Sequence, residues 1–186
     1  MTARTKRTGP LTREELDAAA LRYLDRFDSS AKNLRRVLLG YVKRVSAERG
    51  ADAAAQGGEW VDELLARYQR SGLVDDARFA GAIASGLRRR GSSGRAIVQK
   101  LRARGVRDDV ASEALAGVDS EGSHAAELAA AQAFVRRRRI GAFRPETERA
   151  ASFRKDLGAL ARAGFSMDIA RRALGSTGDE AEGDDW

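Results

Sequence analysis

The residues with the most chemistry to offer are cations. Between Ala77 and Arg107 the chain carries no acidic residue, while Arg78, Arg88, Arg89, Arg90, Arg95, Lys100, Arg102, Arg104 and Arg107 supply nine positive charges. A second run, Arg136, Arg137, Arg138 and Arg139, is uninterrupted. Guanidinium groups hold phosphate and carboxylate oxygens in a planar, bidentate geometry, so these runs suit binding to phosphates or to acidic protein surfaces. The candidate contacts are Arg88, Arg89, Arg90, Arg95, Lys100, Arg102 and Arg104 from the first run and Arg136, Arg137, Arg138 and Arg139 from the second. Four consecutive helical arginines cover more than one full turn, so they cannot all face one phosphate track. The competing explanation for either run is a solvated positive face with no partner.

Catalysis finds little to work with. The chain has no cysteine and one histidine, His124, which removes thiolate nucleophiles, cysteine-based zinc sites and histidine-rich metal sites. His124 lies in a Ser/Gly/Glu-rich segment with no nucleophile motif beside it and reads as a surface histidine at a helix start. Asp75 with Asp76, and Asp108 with Asp109, directly follow turns, which favours helix capping over a paired-carboxylate site. The stretch Gly91-Ser92-Ser93-Gly94 lacks the lysine and the preceding strand of a phosphate-binding loop. No catalytic, cofactor or metal site is predicted, and the chain reads as non-enzymatic. The phenylalanines Phe79, Phe134, Phe143, Phe153 and Phe165 sit in apolar helical contexts, so they read as core and not as base-stacking platforms.

The elements that must position these cations are helices. Two prolines in 186 residues, with abundant alanine, leucine and arginine, favour helix nearly everywhere. Leu34, Val37, Leu38, Tyr41 and Val45 form one apolar stripe at helical spacing, and Val61, Leu64, Leu65 and Tyr68 form another. Thr12 with Glu15 reads as a capping box, Ser29 or Ser30 as a second cap, and Gly72, Gly91 and Gly105 as breaks. The run from Leu101 through Gly105-Val106 to Leu115 aligns without gaps with Leu160 through Gly164-Phe165 to Leu174, at an offset of 59 residues. Both copies read as helix, glycine turn, helix.

About nine helices with a repeated turn predict an all-α chain of tandem three-helix modules. The predicted order is a basic flexible segment 1–11, a first module 12–73 with a loop insertion at 47–58, a second module 74–119, a third module 120–175, and a disordered tail 176–186 with five acidic residues and no basic one. Net charge is +7 and the isoelectric point near 10.3, a balance that attracts phosphates or acidic partners. No stretch is long and apolar enough for a membrane span and no secretory leader is evident, so the expectation is a cytoplasmic monomer with no membrane contact.

The run Val61-Asp62-Glu63-Leu64-Leu65 through Ser71-Gly72-Leu73-Val74-Asp75-Asp76-Ala77-Arg78-Phe79-Ala80 resembles the junction of the first two modules in the RecX family of recombination regulators. Gly94-Arg95-Ala96-Ile97 to Leu101-Arg102-Ala103-Arg104-Gly105-Val106 resembles that family's second-module helix and turn, and the likeness extends over about 16–174. It implies modules in an elongated, curved array and a RecA filament partner, bound in the filament groove together with single- or double-stranded DNA. It also implies inhibition of RecA ATPase, strand exchange and coprotease activity in DNA repair and the SOS response. Two other readings stay open on the residues alone: a stand-alone basic nucleic-acid-binding protein, and a protein-interaction scaffold.

Overall fold

A computed structural model describes residues 9–119 and 122–175. The expected basic segment up to residue 8 and the acidic tail 176–186 lie outside the described residues. Among these residues there are nine α-helices and no strand: α1 Arg13–Leu24, α2 Ala31–Arg49, α3 Gly57–Arg70, α4 Asp76–Arg89, α5 Gly94–Ala103, α6 Asp108–Val118, α7 Ser123–Arg138, α8 Glu146–Arg162 and α9 Met167–Leu174. Short 3-10 turns occupy Ala51–Ala54 and Gly141–Phe143.

The helix starts lie where polar caps allow. Thr12 Oγ1 accepts from the Glu15 amide, Ser30 Oγ from the Asn33 amide and Ser166 Oγ from the Ile169 amide, each satisfying a donor that the first turn leaves unpaired. Asp75 Oδ1 accepts from the Arg78 amide at 2.9 Å and so caps α4. The neighbouring Asp76 accepts instead from the Ala31 amide at 2.8 Å, closing the start of α2.

The chain divides into two compact units, one comprising the residues up to Phe79 with Arg104–Val106, the other Ala80–Ala103 with the residues from Arg107 onward. In the first, Leu16, Ala20, Leu34, Leu38, Val61, Leu64, Leu65, Tyr68 and Val74 form the core between α1, α2 and α3. Each fully buried leucine of this kind contributes about 1.5–3 kcal/mol of transfer free energy. Within the segment 47–58, read from sequence as a loop or fraying helix, α2 runs on to Arg49, a 3-10 turn occupies Ala51–Ala54, and α3 begins at Gly57. Alanine-rich sequence is a good helix former, and Ala54 is buried against Leu11 and Val45 in a small satellite cluster, which supplies the anchoring that the sequence pattern does not reveal.

In the second unit α7, α8 and α9 enclose Ala130, Ala131, Phe134, Val135, Ile140, Leu160, Phe165, Ile169, Ala170 and Leu174. Phe134 and Phe165 meet edge to face at 5.9 Å, a favourable aromatic geometry. Phe79 is buried as predicted, but Phe143 is 52% exposed. It closes a 3-10 turn just before Pro145, where no helical stripe carries it inward.

Candidate nucleic-acid interface

Arg90 of the first run and Arg137 of the second, 47 residues apart in sequence, meet at one place in the second unit. Helix α4 ends in Arg88-Arg89-Arg90-Gly91, and Gly91 adopts φ +75°. A Cβ there would lie 2.6 Å from the Phe134 nitrogen and 2.8 Å from the Ala130 oxygen, so the turn is seated directly on the α7 backbone and only glycine fits. The seating brings Arg90 beside the last turn of α7. There the Arg137 guanidinium donates to the Arg90 carbonyl at 2.6 Å.

Arg136, Arg137, Arg138 and Arg139 are all exposed, as are Arg89 and Arg90. None of these six has an acidic partner among the described residues. Arg89 reaches only Ser85 Oγ, at 3.0 Å. Arg137 and Arg138 lay their guanidinium carbons 5.9 and 5.5 Å from the Phe134 ring centroid, a cation–π placement that orders the stems. Three of the four also sit in the last turn of α7, where the helix dipole favours cations.

Arg139 is the only described non-glycine residue with positive φ, at φ 52° and ψ 47°. An L-residue in this left-handed region costs roughly 1–2 kcal/mol, which is why glycine is the usual occupant of such a cap. The turn returns the buried Ile140 to the core and delivers the Gly141 amide to Asp156 Oδ2 at 2.9 Å. Asp156 is 2% exposed and takes a bidentate pair of hydrogen bonds from Arg144, at 2.8 and 2.7 Å. Those bonds hold its carboxyl below the ordinary aspartate value against the opposing effect of burial, and the Gly141 amide adds to them.

Arg88, a candidate phosphate contact by sequence, has a side chain only 10% exposed. Nε and Nη2 donate to Asp119 at 2.9 and 2.5 Å, and Nη1 donates to Glu127 at 2.6 Å and to the Ser92 carbonyl at 3.1 Å. Burial opposes the charge, yet the bonds to Asp119 and Glu127 outweigh it and raise the guanidinium pKa. Glu127 accepts from the Gly94 amide as well, at 3.1 Å. The network ties the end of α4 to the start of α5, the end of α6 and the first half of α7, and it commits four of the five Arg88 N–H donors within the protein.

The remaining candidates are dispersed. Arg95 is exposed, with its stem over the α8–α9 turn: its Cβ and Cδ lie 3.4 and 3.7 Å from where a Gly164 Cβ would sit. Lys100 is exposed on α5. Arg102 forms an exposed ion pair with Asp108 at 2.5 Å. Arg104 belongs to the first unit, where its carbonyl accepts from Ser30 Oγ. His124 is exposed at the start of α7, 3.3 Å from Asp168 Oδ2. Asp119, Glu127, Asp156 and Arg144, which organise the patch, were not picked out by sequence reasoning, because each is an ordinary helical-surface residue type until its partner is known. No helix among the described residues is long and apolar enough to cross a membrane.

These features define an all-helical protein that presents an arginine-rich face. Residues 75–115 match the family model of the second three-helix domain of RecX. The chain is 38% identical over 172 residues to a regulatory protein RecX of Myxococcus xanthus, covering 92% of this chain and 90% of that one. It is 33% identical to the RecX of Halorhodospira halophila, over 91% and 92% of the two chains, and 32% identical to that of Trichlorobacter lovleyi, over 83% and 90%. No solved structure gives a significant match. The chain belongs to the RecX family.

Proposed function

We propose that this protein binds the RecA filament together with its DNA and inhibits RecA ATPase, recombinase and coprotease activity, acting without catalysis of its own in DNA repair and the SOS response. The observation that carries the reading is the patch of Arg89, Arg90, Arg136, Arg137, Arg138 and Arg139, six exposed guanidinium groups with no acidic partner among the described residues. Membership of a family whose named members are regulatory proteins supports the regulatory role. The binding energy is electrostatic and distributed: each phosphate neutralised on single strands steepens the log–log salt dependence by roughly 0.7, and on duplex by roughly 0.9.

The test is the single-stranded-DNA-dependent ATPase rate of RecA during titration with this protein, run beside the Arg89→Glu/Arg90→Glu/Arg138→Glu chain. Inhibition at substoichiometric amounts, lost in the triple variant at unchanged helicity, is the expected result. Retention of naked DNA with no effect on RecA would replace this reading with a stand-alone nucleic-acid binder. Binding to neither, by a folded chain, would leave a protein-interaction scaffold. Arg88 stays out of the variant set because its side chain is bonded to Asp119 and Glu127.

A further inference from the structure

The end of α9 lies against the turn that follows the arginine run. Leu174 Cδ2 and Cα are 2.7 and 3.5 Å from the position a Cβ on Gly141 would take, and Gly141 is two residues past Arg139. The sequence then continues from Gly175 through Ser176 to Trp186 with Asp179, Glu180, Glu182, Asp184 and Asp185 and no basic residue. An extended chain advances about 3.3–3.6 Å per residue, so Asp179 reaches roughly 14 Å from Gly175 and Asp185 more than twice as far. The carboxylates of the segment are therefore tethered beside the turn that follows Arg139.

We infer that the α7 arginine cluster is the docking surface for this chain's own acidic segment, 179–185, which occupies it in the absence of nucleic acid. Charge complementarity is close: the segment's sequence carries five carboxylates, against four guanidinium groups that have no acidic partner among the described residues. Arg172, also near the start of the segment, is turned toward His124 and Asp168. Tethering next to the cluster gives the carboxylates an effective concentration in the millimolar range, so weak exposed ion pairs suffice for occupancy at low salt. A phosphate backbone must displace the segment to bind there. That competition rests on the phosphate-binding reading above, whereas the docking itself does not.

The experiment compares the full chain with a full-length chain carrying Asp179→Asn, Glu180→Gln, Glu182→Gln, Asp184→Asn and Asp185→Asn. Arginine side-chain Nε–Hε resonances are recorded in both at about 20 mM and about 1 M salt, where the screening length falls to about 3 Å. Docking predicts shift differences between the chains concentrated on Arg136, Arg137, Arg138 and Arg139 at low salt and abolished at high salt. Identical spectra, or differences centred elsewhere, overturn it. In a second arm, the affinity for a single-stranded oligonucleotide rises about tenfold in the neutral-segment chain at low salt, and the gain disappears once Arg136, Arg137, Arg138 and Arg139 are replaced by alanine. A gain that persists without those arginines also overturns the local docking. If neither chain binds the oligonucleotide, the phosphate-binding reading fails, while the resonance shifts still decide the docking.

Discussion

The hydroxyl of Ser93 donates to the carbonyl of Ala163 at 2.6 Å, and the hydroxyl of Ser30 donates to that of Arg104 at 2.5 Å. In both cases the accepting residue immediately precedes a turn glycine, Gly164 or Gly105, of the 59-residue sequence repeat. The serine hydroxyls also accept from the amides three residues on, Ala96 and Asn33, both at 3.2 Å. The amide after each serine is then closed by a distant carboxylate: Gly94 by Glu127 and Ala31 by Asp76. Each clasp lies within one compact unit, so the repeat consists of a glycine turn and the capped helix start that receives it.

The clasp sets the first prediction. Ser93→Ala leaves the Ala163 carbonyl without its donor and uncaps α5, and should destabilise the chain by about 2–3 kcal/mol. Ser166→Ala removes only a helix cap and should cost about 1 kcal/mol. Urea denaturation of the two variants, followed by circular dichroism, checks the difference; equal losses would reduce Ser93 to an ordinary cap.

Glycine seating gives a second, internally controlled prediction. Gly91 and Gly72 have nearly equal φ, +75° and +71°, but an alanine Cβ meets the Phe134 and Ala130 backbone at position 91 and nothing within 4 Å at position 72. Gly72→Ala should therefore show only the left-handed strain, about 1 kcal/mol, and Gly91→Ala at least about 2 kcal/mol more, because the backbone it strikes cannot step aside. Thermal unfolding of the pair measures the gap.

Much of the fold was legible because its causes are local. Leu34, Leu38 and Val45, and Val61, Leu64, Leu65 and Tyr68, declare a helix face by spacing alone and are buried, while Val37 and Tyr41 of the first stripe are half-buried at its edge. Thr12, Ser30 and Asp75 announce helix starts by residue type. The site was only partly legible, and Arg88 beside Arg89 shows why. The two are identical in type and adjacent, yet one is half-buried and paired with carboxylates 31 and 39 residues away and the other faces solvent. The difference is set by the register of α4 against α6 and α7, which composition does not encode. The meeting of Arg90 with Arg137 was hidden for the same reason: it follows from Gly91 lying on the α7 backbone, a tertiary fact.

That pair of arginines yields the third prediction. Arg88→Ala leaves the buried Asp119 and the half-buried Glu127 without their cation and should cost about 3 kcal/mol. Arg89→Ala, at an exposed position, should stay within about 0.5 kcal/mol while weakening DNA retention. Paired denaturation and retention assays on the two variants should thus give opposite patterns, and a stable Arg88→Ala chain would show that the network is dispensable.

Acid sensitivity should centre on Asp156. Its folded-state pKa lies below the unfolded value, so its pairing with Arg144 contributes stability that is fully present above about pH 5 and is lost as pH falls through the ordinary aspartate value near 4 toward the lowered one. Asp156→Asn should destabilise the chain at pH 7 by about 3 kcal/mol and flatten the dependence of unfolding free energy on pH between about 5 and 3. An unchanged slope in that window would place the acid sensitivity in other carboxylates.

Arg139 holds a conformation that glycine would hold at lower cost, and it does so at the edge of the exposed arginine patch. Arg139→Gly removes left-handed strain of roughly 1–2 kcal/mol, partly offset by the greater freedom of glycine in the unfolded chain and by loss of a cation near the α7 C-terminus. The net expectation is a chain more stable by about 0.5–1 kcal/mol. If the arginine is retained for phosphate contact, the same variant should bind single-stranded DNA more weakly, with a log–log salt dependence shallower by about 0.7. Greater stability with unchanged DNA affinity and salt slope would remove Arg139 from the interface and leave the contact to Arg89, Arg90, Arg136, Arg137 and Arg138.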